Sequence, residues 1–315
     1  MKALNRRRFL QATAAGSAGL GFISRSVPSV FAYPHPDKDA ISLATWSLVR
    51  SFRAGIWKLT DIARICREDF NIDGIEYVNN FFELPVEPYL KRLNREAEKY
   101  GVRNVLIMVD SEGQMVSEDA AVRRQAVINH RKWVDIAAVL GCHAIRCNAR
   151  GGGKSSAEDP GALDRAADSF SRLVDYAKES KINIIIENHG GLSSEPDWLP
   201  QLVRKINSPH FGILPDYGNY AQGTDIAAAV RKAMPYAKGV SVKAAWMPDG
   251  THPRYSLEEL LQISKDSGYS GFWGIESSLI RSHNDRPKDK EGIKADDWKA
   301  VMLTKKVIEK VVFNR

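Results

Sequence analysis

The chain has 315 residues, 43% hydrophobic and 26% charged, a balance that excludes a disordered chain, a collagen, a coiled coil and a multi-span membrane protein. Its formal charge of +7 is unevenly placed: the first 32 residues hold Lys2, Arg6, Arg7, Arg8 and Arg25 and no acid, and beyond them 40 basic residues face 38 acidic ones. A net of +2 with both signs interspersed gives no electrostatic footprint for nucleic acid.

The N-terminus comes first. Asn5-Arg6-Arg7-Arg8-Phe9-Leu10 precedes an uncharged apolar run from Gln11 to Ile23, and Val30-Phe31-Ala32 offers small residues at the two positions a signal peptidase reads. This pattern predicts a signal peptide over residues 1–32 and a mature domain over 33–315. The Arg-Arg-x-Phe-Leu arrangement resembles a twin-arginine signal, which implies Tat export of a folded protein to a periplasmic location. No other apolar stretch approaches the ~20 residues needed to span a bilayer, so no stable membrane insertion is expected. Cys66, Cys142 and Cys147 fit neither a disulfide framework nor a zinc motif and are expected to be small buried residues.

From residue 41 onward short apolar runs alternate with longer amphipathic ones. Strands are predicted to begin near Ile41, Gly74, Val105, Ala144, Asn183, Phe211, Gly239 and Phe272, at a mean spacing of about 33 residues. Between them lie helical spacings, among them Val122 to Leu140 with Val127, Val134, Ala138 and Val139 on one face, and Leu163 to Ala177. Glycines follow helical runs at Tyr100-Gly101, Leu140-Gly141 and Ser267-Gly268. Apolar strands alternating with helices imply a parallel sheet buried on both faces. Eight such units, with no Gly-x-Gly-x-x-Gly helix start, predict an α/β fold: a (β/α)8 TIM barrel in a single domain. His130 and Trp133 are expected to pack against the barrel from their helix, and the charged stretch from Arg286 to Lys299 reads as a solvated loop leading into the last helix.

In such barrels the active site lies at the C-terminal ends of the strands. Glu76, Asp110, Arg146, Glu187, Asp216, Lys243 and Glu276 end apolar strands and are expected at that mouth. Side chains two apart share a face, so Glu187 should lie near His189, and Ser241 near Lys243. Several carboxylates meeting at one mouth need compensation. A hard divalent ion such as Mn²⁺ or Mg²⁺ is one remedy; partial neutralisation by Arg146, Lys243 and His189 is the other. Trp46, Trp246 and Tyr217 lie at or beyond strand ends, where each either presents an aromatic face at the mouth or packs in the core. The Gly151-Gly152-Gly153-Lys154-Ser155 loop fails the phosphate-loop pattern, because Asn148 stands at the first glycine position. It reads as a flexible loop at the mouth, with anion binding a minor alternative.

The segments Ile186–Gly191 (IENHGG), Leu214–Asn219 (LPDYGN), Gly239–Lys243 (GVSVK) and Gly274–Ser277 (GIES), in this order, resemble the xylose isomerase-like superfamily of sugar phosphate isomerases and epimerases. That resemblance implies one divalent metal held by Glu187, Asp216 and Glu276. The family's strand-seven histidine is Ser241 here, and Asn219 stands where many relatives place a substrate-contacting histidine. Water, His189, His252 or His283 would then complete the metal shell.

The chemistry implied is proton abstraction next to a carbonyl, with Glu187 and Glu276 as base and acid and Lys243 or His189 stabilising oxyanion charge. Arg146, Asn219, Trp46 and Trp246 are the candidate substrate contacts. Export favours a non-phosphorylated sugar or glycoside as the small-molecule partner. The leading expectation is therefore an exported, metal-dependent sugar isomerase or epimerase. The alternatives are a lyase or dehydratase acting on a 3-keto-glycoside or inositol-like ketone, and a sugar-binding protein without catalysis.

Overall fold

The computed structural model describes residues 38–315, so the expected leader over residues 1–32 lies outside the described residues. Eight strands follow one another: β1 Ala40–Ala44, β2 Gly74–Val78, β3 Arg103–Met108, β4 Ala144–Cys147, β5 Asn183–Glu187, β6 Phe211–Leu214, β7 Val240–Trp246 and β8 Phe272–Leu279. All their ladders are parallel, in the order β6-β5-β4-β3-β2-β1-β8-β7. Two isolated parallel bridges, Ile213 with Ala237 and Asp216 with Ser241, join β6 to β7. The offset between the strands changes by one residue from the first bridge to the second, next to Pro215. Proline has no N–H to give a ladder, so regular pairing stops there and Asp216 is released toward the mouth.

The helices are α1 Val49–Arg53, α2 Ile62–Arg64, α3 Glu87–Lys99, α4 Ala120–Leu140, α5 Ala162–Ala177, α6 Trp198–Ile206, α7 Ile226–Ala233, α8 Leu257–Asp266 and α9 Lys290–Val312. The (β/α)8 expectation holds, with strand starts within two residues of those predicted. Short side chains start several helices: Asp119, Asp225, Ser256 and Asp289 each accept a backbone N–H of the first turn, satisfying donors the helix leaves over. Gly101, Gly141 and Gly268 stand past helix ends at φ of 60°, 76° and 81°, the left-handed conformation that glycine tolerates best. No helix among the described residues is long and apolar enough to cross a membrane.

Two expectations shift. On α4 the buried residues are Ala126, Val127, His130, Trp133, Val134, Ile136, Ala137 and Leu140, while Ala138 and Val139 are only partly buried. The charged stretch from Arg286 to Lys299 is not a solvated loop along its whole length, because α9 begins at Lys290. Asp296 is buried against Arg50 and Arg281, and Asp297 accepts the backbone N–H and hydroxyl of Ser51. These acids dock α9 onto α1 through ion pairs and hydrogen bonds, which hydrophobic periodicity does not register. All three cysteines are buried.

Strand alternation sets the chemistry inside the barrel. Leu106-Met108-Asp110, Ala144-Arg146-Asn148, Ile185-Glu187-His189, Ser241-Lys243 and Gly274-Glu276 are runs of residues two apart, and such residues share a face. Several of these runs turn from apolar to polar toward the C-terminal end.

Candidate active site

Glu187, Asp216 and Glu276 are buried together, with one carboxylate oxygen from each within 4.8 Å of the others. Glu187 ends β5, Asp216 follows Pro215, and Glu276 lies midway along β8. Asn188 fixes Asp216 by its backbone: its Oδ1 accepts the Asp216 N–H at 2.8 Å and its Nδ2 donates to the Asp216 carbonyl at 2.9 Å. The carboxylate itself accepts the Gly218 N–H at 2.8 Å on Oδ1 and the Ser241 hydroxyl at 2.7 Å on Oδ2. Ser241, in the position where a histidine was the family expectation, thus serves Asp216 as a donor. Asn219 donates to Glu187 Oε1 at 2.6 Å.

Two cations from the chain enter the cluster. Arg146 donates to Asp110 Oδ1 at 2.8 Å, and its Nε stands 2.8 Å from Glu187 Oε2. The second contact lies off the N–H direction, so that neither atom has a hydrogen bond there. Lys243 Nζ is 2.5 Å from Glu276 Oε1 and 3.7 Å from Asp216 Oδ2. Burial raises the Asp216 carboxyl to about 7, with the Lys243 charge opposing that shift and Glu187 and Glu276 adding to it. Glu187 is raised too, by burial first and against the pull of Arg146. Burial would lower Lys243, but Asp216, Glu276 and Glu187 hold its proton above the ordinary lysine range. Asp110 goes the other way: its desolvation is outweighed by the charge and hydrogen bond of Arg146, which leave it below the usual carboxylate value.

These donors fit a hard divalent cation. Four carboxyl groups, Asp110, Glu187, Asp216 and Glu276, meet only two cationic side chains here, Arg146 and Lys243, and one oxygen of Glu187 lacks a hydrogen bond. Among the described residues no histidine joins the group of possible ligands. His252 lies edge-on to Trp246 and tilted against Tyr255, with its Nδ1 on the Tyr255 carbonyl, and His283 is exposed on the loop after β8.

His189 lies beyond the end of β5 with its Nδ1 3.1 Å from an Arg150 nitrogen. A guanidinium only donates, so Nδ1 is the acceptor and the neutral ring carries its proton on Nε2. Burial lowers its pKa first, and Arg146, Lys243 and Arg150 lower it further. His189 is therefore a neutral donor.

Beneath Glu276 lies a further carboxyl. Glu76 is 1% exposed; its Oε1 accepts the Ser42 hydroxyl at 2.6 Å and its Oε2 has no partner. Burial pushes it up to about 8, with Ser42 opposing the shift and Glu276 and Glu187 adding to it. Glu76 was expected at the mouth, but it occupies the layer below, over Gly274.

The aromatic candidates separate. Trp46, 37% exposed, stacks on Phe81 at 6.0 Å. The neighbouring Ser47 accepts the Ser277 N–H and donates to the Ile275 carbonyl, both at 3.0 Å, so this turn is fastened to β8 on either side of Glu276. Trp246 is not brought to the site: three residues past Lys243, it lies on the opposite face of β7 and donates its indole N–H to Thr304 of α9. Tyr217 is a core residue, fully buried and bonded to Ser264. The glycine loop is held by carboxylates, since Gly153 N–H donates to Asp159 and Lys154 N–H to Glu158; those amides are not free for an anion. Asn148, Asn188 and Arg150, which second the site residues, were not singled out as site residues from sequence. Their one signal is a polar residue at or just past the end of a buried strand.

No curated protein matches the chain in sequence. Among solved structures, an L-ribulose 3-epimerase superposes with a TM-score of 0.65 at 14% identity, covering 88% of this chain and 95% of its own. The 3-keto-D-glucoside 4-epimerase YcjR from E. coli gives 0.59 at 14%, covering 76% and 93%. A probable 3-DHS dehydratase from Bacillus anthracis gives 0.61 at 16%, covering 82% and 97%. At such identities the likeness establishes the fold. The model of one family, described as xylose isomerase-like TIM barrel, matches residues 67–296. The chain belongs to the xylose isomerase-like TIM barrel family.

Proposed function

We propose that this chain is an enzyme that isomerises or epimerises a non-phosphorylated sugar by moving a proton next to a carbonyl. The observation that carries the reading is the buried trio Glu187, Asp216 and Glu276 at the C-terminal mouth, flanked by Lys243, Arg146 and a neutral His189. Two solved structures with the same fold are described as sugar 3- or 4-epimerases, which supports the substrate class. The Tat-like leader supports an exported, periplasmic enzyme, and hence a free sugar or glycoside.

A divalent cation held by Glu187, Asp216 and Glu276 would supply Lewis-acid stabilisation of the substrate's oxygens. The chain's own residues do the rest. One glutamate takes the proton from the carbon beside the carbonyl, the C–H electron pair moves into the new C=C bond, and the carbonyl oxygen gains the negative charge. The other glutamate returns a proton to carbon. Burial favours the neutral form of Glu187, which suits a group that must accept and release a proton near neutral pH. The Lys243 ammonium and the His189 Nε2–H stabilise the oxyanion, and Trp46, 37% exposed, is the aromatic contact for the sugar.

The test is solvent exchange. Ketoses and 3-keto-glycosides incubated with the protein in D2O should gain deuterium beside the carbonyl by NMR, and Glu187→Gln or Glu276→Gln should slow this by at least about 10²-fold. Incorporation no faster than in buffer, or unaffected by both substitutions, would overturn the reading. Release of a free aglycone would assign the same residues to a lyase.

A further inference from the structure

Lys243 reaches the acidic trio through a passage made for it. Gly218 has no side chain, and a Cβ there would stand 2.8 Å from Lys243 Cδ and 3.0 Å from Cγ. The Tyr255 hydroxyl donates to the Lys243 carbonyl at 2.5 Å, which fixes the backbone. The β7–β8 register sets Lys243 beside Glu276, and the ammonium lies 2.5 Å from Glu276 and 3.7 Å from Asp216. Two of the three carboxylates suited to a metal thus already share a cation tethered to the chain. An ammonium is a donor with no lone pair to give a metal, and at this range it repels a divalent ion. The Lys243 side chain is 28% exposed and has a flexible four-carbon stem, so the head has somewhere to go while its backbone stays in place.

We propose that Lys243 is a tethered counter-ion of the trio: in the metal-free chain its ammonium holds Glu276 and Asp216 together, and a divalent cation entering the trio displaces it. The inference rests on the reading of the trio as a metal site and adds that the chain itself competes for that site. Lys243→Met keeps most of the stem and removes the charge, and Lys243→Gln retains a donor if the Met variant folds poorly.

The test measures Mn²⁺ binding by calorimetry and thermal unfolding in EDTA and in Mn²⁺, for wild type and both variants. Both variants should bind Mn²⁺ at least tenfold more tightly than wild type. In EDTA they should melt at a lower temperature than wild type, and Mn²⁺ should raise their melting temperature more. If wild type binds Mn²⁺ and the variants bind it equally or more weakly, displacement is wrong while the metal site stands. If none of the three proteins binds Mn²⁺, the metal reading falls and displacement falls with it.

Discussion

Gly274 and Glu76 share one space: a Cβ on Gly274 would lie 2.3 Å from Glu76 Oε1 and 2.8 Å from its Cδ. The backbone of Gly274 is not left-handed, so the requirement for glycine comes from contact and not from torsion. Gly274→Ala should cost about 1–3 kcal/mol, the usual range for overpacking a buried site. Adding Glu76→Ala in the same chain should recover part of that loss. Urea midpoints for the two single variants and the double variant measure the coupling. Strict additivity would show that the two positions do not share the space.

Glu76 also gives the protein a pH dependence. Its carboxyl has an ordinary value of 4.5 and is pushed up to about 8 when folded, by burial first. Between those values the folded chain holds a proton the unfolded chain has lost. The contribution of this group to stability therefore falls as pH rises through that window. Glu76→Gln removes the titration and keeps the shape. The variant should gain stability relative to wild type on going from pH 5 to pH 8, read from denaturant unfolding at both values. A difference that stays constant would rule out a proton held on Glu76.

Arg146 joins Asp110 to Glu187 in a buried position. Removing one member of a buried ion pair leaves charge without compensation and costs about 3–5 kcal/mol. Arg146→Met should fall in that range by urea unfolding. Arg146→Lys restores the charge as a single point that cannot span both acids in the same way, so its loss should be intermediate. A cost below about 1 kcal/mol for Arg146→Met would mean that solvent already screens this pair.

Much of the site can be read in the sequence because one physical rule exposes it. A polar residue at the end of an apolar parallel strand has no reason to be there except to face the mouth, which is how Glu187, Asp216, Lys243, Arg146 and Glu276 stand out. The two-residue period also contains the placement of Trp246, which stands three residues from Lys243 and so must point the other way; proximity to the strand end masked it. Depth is harder. Glu76 follows the same pattern as the mouth carboxylates, and nothing local to β2 reveals that Gly274, two strands away in the sheet, makes room for it one layer lower. The docking of Asp296 and Asp297 depends on Arg50, Arg281 and Ser51 across the fold, and charged residues at the start of a helix otherwise read as solvated. Partners distant in sequence decide these cases.

The seam between β6 and β7 is the thinnest part of the barrel. β7 and β8 are paired continuously from Val240 to Trp246, whereas β6 meets β7 through two isolated bridges, with backbone bonds from Lys238 to Ile213 and from Ser241 to Pro215, both 2.9 Å, and from Tyr217 to Ser241 at 3.2 Å. Fewer backbone bonds per residue lower the free energy of local opening. Peptides spanning residues 211–219 should therefore exchange amide hydrogen faster than those spanning 272–279, in a native-state measurement by mass spectrometry. Asp216 stands in this seam, tied across it by the Ser241 hydroxyl. Ser241→Ala should speed exchange in residues 211–219 and leave 272–279 unchanged. If the two segments are equally protected in wild type, and Ser241→Ala alters neither, the seam is as firm as a full ladder and Asp216 owes its position to Asn188 and Gly218.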